Sequence, residues 1–271
     1  MNTALTSRGA NAAAPFGEHL RQWRQRRRMS QLDLSAESDI STRHLSFVET
    51  GRSLPSREMV LRLFERLDVP LRERNTMLMA AGYAPMYRER TLADPALAAA
   101  REAVERVLKG HEPFPALAVD RHWNMVAGNR VVAHLLAGVD PALLAPPANV
   151  LRLSLHPNGL APNIANLQQW RAHLLARLRQ QVHATADPTL AALLNELQQY
   201  TVPAAPDDVT LDGELLGVVV PFRIRTAMGL MSFISTTTVF GSPVDVTLQE
   251  LAVESFFPAD EATALALRAL G

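Results

Sequence analysis

The segment from 29 to 55, MSQLDLSAESDISTRHLSFVETGRSLP, constrains the fold more than any other part of the chain. Ser30 is a favourable N-cap for a helix that runs to about Glu37, and Ser41 is one for a helix that runs to about Thr50. Only three or four residues separate the two helices, and Gly51 suits the left-handed residue that ends the second helix. Two short helices joined by so tight a turn predict a helix-turn-helix unit.

In such a unit the second helix lies in the major groove of DNA, with its N-terminal residues against the base edges. The side chains that we expect to face DNA are Ser41, Thr42, Arg43, His44 and Phe47. Arg43 is the candidate base reader, because its guanidinium can donate two hydrogen bonds to O6 and N7 of guanine. Gln31, in the first turn of the preceding helix, and Arg52, just past the second helix, are candidate phosphate contacts.

Two features of this segment leave alternatives open. Phe47 can press on a thymine methyl group, but an exposed aromatic on a helix can also pack against a second copy of the chain. The run Arg26-Arg27-Arg28 can contact phosphates or can simply be a solvated helix end whose cations suit the helix dipole. The apolar positions Leu34, Leu45 and Val48 are expected to hold the two helices together.

The spacing of apolar residues and the charge indicate that the helix-turn-helix unit is part of a domain that occupies the N-terminal third of the chain. Phe16, Leu20 and Trp23 follow a helical repeat, and about five helices fit between residues 16 and 83. Residues 1–90 carry 15 basic and 10 acidic side chains, against 12 and 17 in the remainder, so this third suits a polyanion. We predict a disordered tail at 1–15, an all-α helix-turn-helix domain at 16–83, a linker at 84–95 and a second domain at 96–271.

The second domain mixes strand and helix signals. Short apolar runs at 116–119 and 123–127 predict a strand pair, followed by a helix at 129–136. Helices are predicted around 167–182 and after Asp187-Pro188, where an N-cap precedes a first-turn proline. Three Val-, Phe- and Thr-rich stretches at 215–225, 230–240 and 246–257 predict antiparallel strands, and 260–270 predicts a last helix. The whole is an α+β domain with an antiparallel sheet.

Several classes of function are disfavoured. The chain has no Cys, so thiolate nucleophiles and cysteine-based metal sites are excluded, and a reducing cytoplasm fits best. Nucleophile-elbow, phosphate-loop and zinc-helix motifs are absent, and the eight His are scattered. We therefore predict no enzyme activity, no catalytic residue, no metal and no cofactor. The tail lacks the apolar region of a signal peptide, and no apolar run is long enough to span a membrane.

Residues 16–82 resemble the Xre/lambda-repressor-like helix-turn-helix domain, on the strength of SQLDLSAESDISTRHLSFVETGRSLPS. The stretches 149–182 and 231–260 resemble the ligand-binding domain of MmyB-like transcription regulators. This second resemblance implies a PAS-like sensor domain with a hydrophobic cavity that holds a fatty acid or similar apolar ligand.

The resemblance also directs attention to particular side chains. Those that can line such a cavity, unless they are ordinary core, are Trp123, Met125, Trp170, Phe222 and Phe233. An acyl carboxylate would need cations or amide donors, and the candidates near apolar runs are Arg152, His156, Arg171 and Arg223.

Together these features predict a sequence-specific transcription regulator whose C-terminal domain senses a small apolar ligand. The competing hypothesis makes that domain a dimerisation or protein-docking module without a ligand. In either case we expect a homodimer on a pseudo-palindromic double-stranded DNA operator.

Overall fold

The computed structural model describes residues 15–201, 220–240 and 245–269. The chain divides into two compact units between Glu89 and Arg90, a position inside the stretch predicted to be a linker. Almost all of the predicted tail, the start of the predicted strand 215–225, and the last residue of the predicted helix 260–270 lie outside the described residues.

The first unit is helical, as predicted. Its helices are α1 (Phe16–Arg26), α2 (Gln31–Glu37), α3 (Thr42–Glu49), α4 (Arg57–Arg66) and α5 (Leu71–Ala80). Ser30 caps α2 in a capping box with Asp33, and Ser41 caps α3 by accepting a hydrogen bond from the His44 amide. Gly51 has a φ of 71°, so it is the left-handed residue that ends α3. The predicted caps therefore set the bounds of the helix-turn-helix.

The core of this unit explains its helix spacing. Leu34, Leu45 and Val48 are buried between the helices, as expected. After α5 the chain stays attached to the unit, because the Asn75 side chain accepts hydrogen bonds from the Met86 and Tyr87 amides and donates one to the Tyr87 carbonyl. The compact unit consequently extends past the predicted end at residue 83.

The second unit is an α+β domain. Its helices are α6 (Ala98–Gly110), α7 (Arg130–Leu135), α8 (Pro141–Leu144), α9 (Val150–Leu155), α10 (Leu167–Thr185), α11 (Pro188–Gln199), α12 (Val246–Gln249) and α13 (Glu261–Arg268). Its strands are β1 (Ala116–Val119), β2 (Met125–Gly128), β3 (Phe222–Thr226), β4 (Gly229–Val239) and β5 (Ala252–Pro258). They form one antiparallel sheet in the order β2-β1-β5-β4-β3.

One predicted strand begins later than expected. The stretch 246–257 was expected to be extended throughout, but its first residues form α12, and β5 starts only at Ala252. The reason is a local cap, because the Asp245 carboxylate accepts a hydrogen bond from the Thr247 amide at 2.9 Å. This cap outweighs the strand preference of Val246 and Thr247.

The two faces of the sheet bury different sets of side chains. Successive residues of a strand point to opposite faces, so Ala118 and Val253 pack with Val104 and Leu108 of α6. The other face, which includes Phe222, Phe233 and Phe256, packs with α10 in the main core of the domain. None of the helices in the described part of the chain has the length and apolar character that a membrane span requires.

Candidate functional sites

Most of the predicted DNA-facing residues lie at the N-terminal end of α3. Ser41, Thr42, Arg43 and His44 are exposed and Phe47 is half-buried, whereas Leu45 and Val48 point into the core. Arg43 and Phe47 are four residues apart, so they lie on the same face of α3. The structure thus exposes Ser41, Thr42, Arg43 and His44 at the N-terminal end of α3, with Phe47 beside Arg43 one turn later.

Two cations flank the aromatic ring on this surface. The guanidinium carbon of Arg43 lies 5.4 Å from the centroid of the Phe47 ring, and that of Arg52 lies 5.9 Å from it. Both distances are within the range of cation–π contacts. Phe47 therefore gathers the candidate base reader and a candidate phosphate contact at the end of α3 into one patch.

Gln31 is hydrogen-bonded to Glu49, which belongs to a buried ion pair with Arg24. Glu49, whose side chain is 3% exposed, contacts Arg24 Nε through Oε1 at 2.6 Å, and its Oε2 accepts from Arg24 Nη2 at 3.0 Å and from Gln31 Nε2 at 2.7 Å. The hydrogen bond with Glu49 raises the pKa of Arg24. One amide hydrogen of Gln31 bonds to Glu49, and the amide group has a second hydrogen to donate.

The arginines of the run at the end of α1 have different roles. Arg27 donates hydrogen bonds to the carbonyl oxygens of Leu67 at 2.7 Å and Asp68 at 2.6 Å, which satisfies carbonyls at the end of α4. Arg28 is exposed. Arg27 accordingly serves the fold, and Arg28 is the member of the run best placed to meet solvent or phosphate.

The second unit contains a cavity of about 90 Å³ between the sheet and the helices that cover it. Trp123, Met125, Trp170 and Phe222, all predicted from the sequence, line it. Most of its other walls are aliphatic and come from the following side chains: Leu117, Val132, Leu135, Leu136, Val150, Leu151, Leu153, Leu160 and Leu174. Phe233 is fully buried, with its ring centroid 6.0 Å from that of Phe222, so it supports the wall rather than lining the cavity.

The four candidate cations for a carboxylate do not line this cavity. Arg152 makes two 2.7 Å hydrogen bonds with Glu196, and Arg171 donates to the Leu197 and Gln198 carbonyls. His156 packs its ring edge-on against Tyr200 at 5.0 Å. The Nε and Nη1 atoms of Arg223 are buried without a hydrogen-bond partner among the described residues.

Local geometry explains why two of these cations, Arg223 and Arg171, do not line the cavity. Arg223 follows Phe222 in β3, and adjacent strand residues point to opposite faces. Arg171 follows Trp170 in α10, where adjacent residues lie about 100° apart around the helix axis. Being next to a lining residue in sequence is therefore a poor guide to lining the cavity.

The charged residues that do line the cavity are Arg177 and Glu254, and neither is predicted from the sequence. Arg177 follows Trp170 and Leu174 at the i, i+4, i+7 spacing, and Glu254 alternates with Phe256 on one face of β5. In each element a charged residue therefore occupies a position where the spacing of the neighbouring residues predicts an apolar one. This is the sequence signal that could have identified the two residues. The pairing between them needs the fold, since 77 positions separate the two residues.

Two comparisons with known protein families agree with this division. Residues 100–270 match the family described as MmyB-like transcription regulator ligand binding domain, and residues 15–77 match a helix-turn-helix domain family. No curated protein matches the chain in a sequence search. The protein is thus a transcription regulator with a DNA-binding unit and a ligand-sensing unit. The chain belongs to the helix-turn-helix regulators that carry an MmyB-like ligand-binding domain.

Proposed function

We propose that this regulator binds a specific DNA operator as a homodimer and that a small apolar molecule, a fatty acid or a similar acyl compound, is its effector. The α+β unit then acts as a PAS-like sensor. The observation that carries the proposal is an apolar cavity in the second unit of a chain whose first unit exposes a helix-turn-helix reading surface.

The reading surface supports sequence-specific binding. Base edges are distinguished by side chains at the start of the recognition helix, and Thr42, Arg43 and His44 occupy those positions with exposed side chains. Arg43 has the fork of donors that guanine accepts. We assign Gln31 and Arg52 to phosphate contacts, which would fix the register of the helix on the duplex.

The cavity supports the sensing role over the docking alternative. Protein interiors are close-packed and contain few voids larger than a water molecule. One water needs about 10–15 Å³ of such space, so a cavity of about 90 Å³ is several times larger. Its walls are almost entirely hydrocarbon and aromatic. Water would therefore find few hydrogen-bond partners there, whereas an alkyl chain would be stabilised by burial of its apolar surface. A domain used only for docking has no need of this void.

The first experiment is native mass spectrometry of the purified full chain, followed by denaturing extraction and lipid analysis. The proposal expects an acyl compound at near-stoichiometric occupancy, or stabilisation of the stripped protein by added acyl compounds. A clean dimer that no acyl compound stabilises would favour the docking alternative. Selection of binding sequences from random duplexes tests the DNA half, and binding without any preferred sequence would contradict it.

A further inference from the structure

One wall of the apolar cavity carries a charged pair. Arg177 of α10 donates from Nη2 to Glu254 Oε1 at 2.7 Å and from Nη1 to Glu254 Oε2 at 3.1 Å. Thr237 also donates to Glu254 Oε1, at 2.9 Å. The guanidinium lies 4.5 Å from the centroid of the Trp123 ring. Glu254 is only 5% exposed, whereas the Arg177 side chain is 29% exposed, so the carboxylate is buried in the wall and the guanidinium is partly hydrated.

The pair leaves this wall electrically balanced. Among the described residues that line the cavity, Arg177 is the single cation and Glu254 is the single anion. His173 stacks on Trp170, and burial, with Arg177 nearby, lowers its pKa below the ordinary value of 6.5. His173 is therefore uncharged at neutral pH and adds no positive charge beside the cavity.

This balance disfavours a carboxylate ligand. A carboxylate bound at this wall would share one guanidinium with Glu254, which leaves one net negative charge in an apolar site. An unpaired charge at this partly dehydrated wall is unfavourable because it has lost much of its hydration. A paired cation is thus a poor partner for a free fatty acid, although a cation would be the expected recognition element.

An uncharged carbonyl group has donors at the same wall. The Nε–H of Arg177 makes no hydrogen bond within the described residues, since the bonds to Glu254 and Thr237 use Nη1 and Nη2. The Ser235 side chain also lines the cavity, and its hydroxyl has no hydrogen-bond partner in the described part of the chain. Both groups can donate to a carbonyl oxygen without changing the charge of the site.

We infer that the cavity selects an uncharged acyl compound, an ester or an amide, over the free fatty acid. This inference rests on the proposed sensing function and narrows its ligand class. Glu254 is the residue that sets the selectivity, because its carboxylate neutralises the cation that a fatty acid would require.

The test compares two ligands with the same alkyl chain on the full-length protein. Decanoate and methyl decanoate are titrated at pH 8, where the acid is ionised, by isothermal titration calorimetry. We expect the ester to bind at least about tenfold more tightly than the acid. A fully buried unpaired charge would give a larger factor, but the part-exposed guanidinium of Arg177 keeps some hydration at this wall. Equal binding, or tighter binding of decanoate, overturns the inference and leaves the sensing function standing. Binding of neither compound to stripped protein overturns the sensing function and the inference together.

A charge-removing variant locates the selectivity. Glu254→Gln keeps the shape of the side chain and removes its charge. The variant should therefore bind decanoate about tenfold more tightly than the wild type does, while its affinity for the ester should change by less than about threefold. Glu196→Gln is the matched control, because Glu196 pairs with Arg152 outside the cavity, and its ligand preference should equal that of the wild type. A folded Glu254→Gln variant in which decanoate gains nothing contradicts the inference. If circular dichroism shows that the variant is unfolded, the wild-type comparison still decides.

Discussion

At the scale of single residues, we propose Arg43 as the side chain on which base recognition most depends. It is exposed near the N-terminus of α3 and held beside Phe47. We expect Arg43→Ala to weaken binding to the selected operator by ~1–3 kcal/mol and to abolish preference at one base pair. Fluorescence anisotropy with the operator and its single-base variants measures both effects. Equal weakening on every sequence would instead make Arg43 a phosphate contact.

A second arginine provides the control for charge alone. Arg66 is exposed at the end of α4, and Arg66→Ala removes the same charge from the same unit. Its effect should be small, should disappear at high salt and should not depend on the base sequence. An effect as large as that of Arg43→Ala would show that net charge, and not base contact, dominates binding.

Gln31 is predicted to position the reading surface without reading it. Its amide group donates to Glu49, and we expect it to donate also to a phosphate oxygen in the complex. Gln31→Ala should therefore weaken binding on all sequences by a similar factor, and the preferred operator should stay the same. Repeating the selection of binding sequences with the variant checks this, and an altered consensus would refute the role.

At the scale of elements, Arg24 and Glu49 tie α1 to α3 through a nearly dry ion pair, with side chains 11% and 3% exposed. Removing one partner leaves the other buried without a counter-charge. We expect Glu49→Leu to lower the free energy of unfolding by roughly 3–5 kcal/mol. Urea denaturation of the two single variants and of the double variant Arg24→Met/Glu49→Leu measures it. The double variant should be more stable than Glu49→Leu alone, and additive losses would argue against the pairing.

The approach of α1 to α3 depends on a glycine. A Cβ added to Gly17 would lie 2.5 Å from the carbonyl oxygens of Val48 and Glu49, which are backbone atoms and cannot rotate away. We expect Gly17→Ala to destabilise the unit by about 1–3 kcal/mol, the usual cost of overpacking. Gly110→Ala is the control, since nothing lies within 4 Å of the added Cβ at the end of α6. That change should be neutral or stabilise by about 0.4–1 kcal/mol.

Elements were predictable from the sequence where a local rule defined them. Ser30, Ser41 and Gly51 set the bounds of α2 and α3 through caps that involve neighbours in the chain. The sequence does not predict α12, because the helix is only four residues long and the cap that Asp245 forms with the Thr247 amide lies within a stretch that otherwise resembles a strand. The aromatic residues of the cavity wall could be predicted from the sequence, because large aromatic side chains in apolar runs are candidates for a cavity lining. The charged pair could not, because Arg177 and its partner belong to elements that are distant in sequence.

At the scale of the whole molecule, the proposed homodimer sets the form of the operator. Two copies related by a two-fold axis present two recognition helices to half-sites about one helical turn apart, ~10 base pairs between centres. Sedimentation of the protein with a selected operator should give two chains per duplex. Inserting five base pairs between the half-sites should abolish tight binding, because it turns one half-site to the opposite side of the duplex. A complex of one chain per duplex, insensitive to the insertion, would overturn the dimer.

Sensing and DNA binding must be linked in both directions if the effector regulates the protein. A ligand shifts the equilibrium between arrangements of the molecule only if it binds one of them more tightly. The factor by which ligand changes operator affinity then equals the factor by which operator changes ligand affinity, typically about 5–150-fold. We expect methyl decanoate to change the operator dissociation constant by such a factor. Calorimetric titration of the ligand with and without operator should return the same factor. A ligand that binds the cavity and leaves operator affinity unchanged would be an occupant of the sensor unit and not its effector.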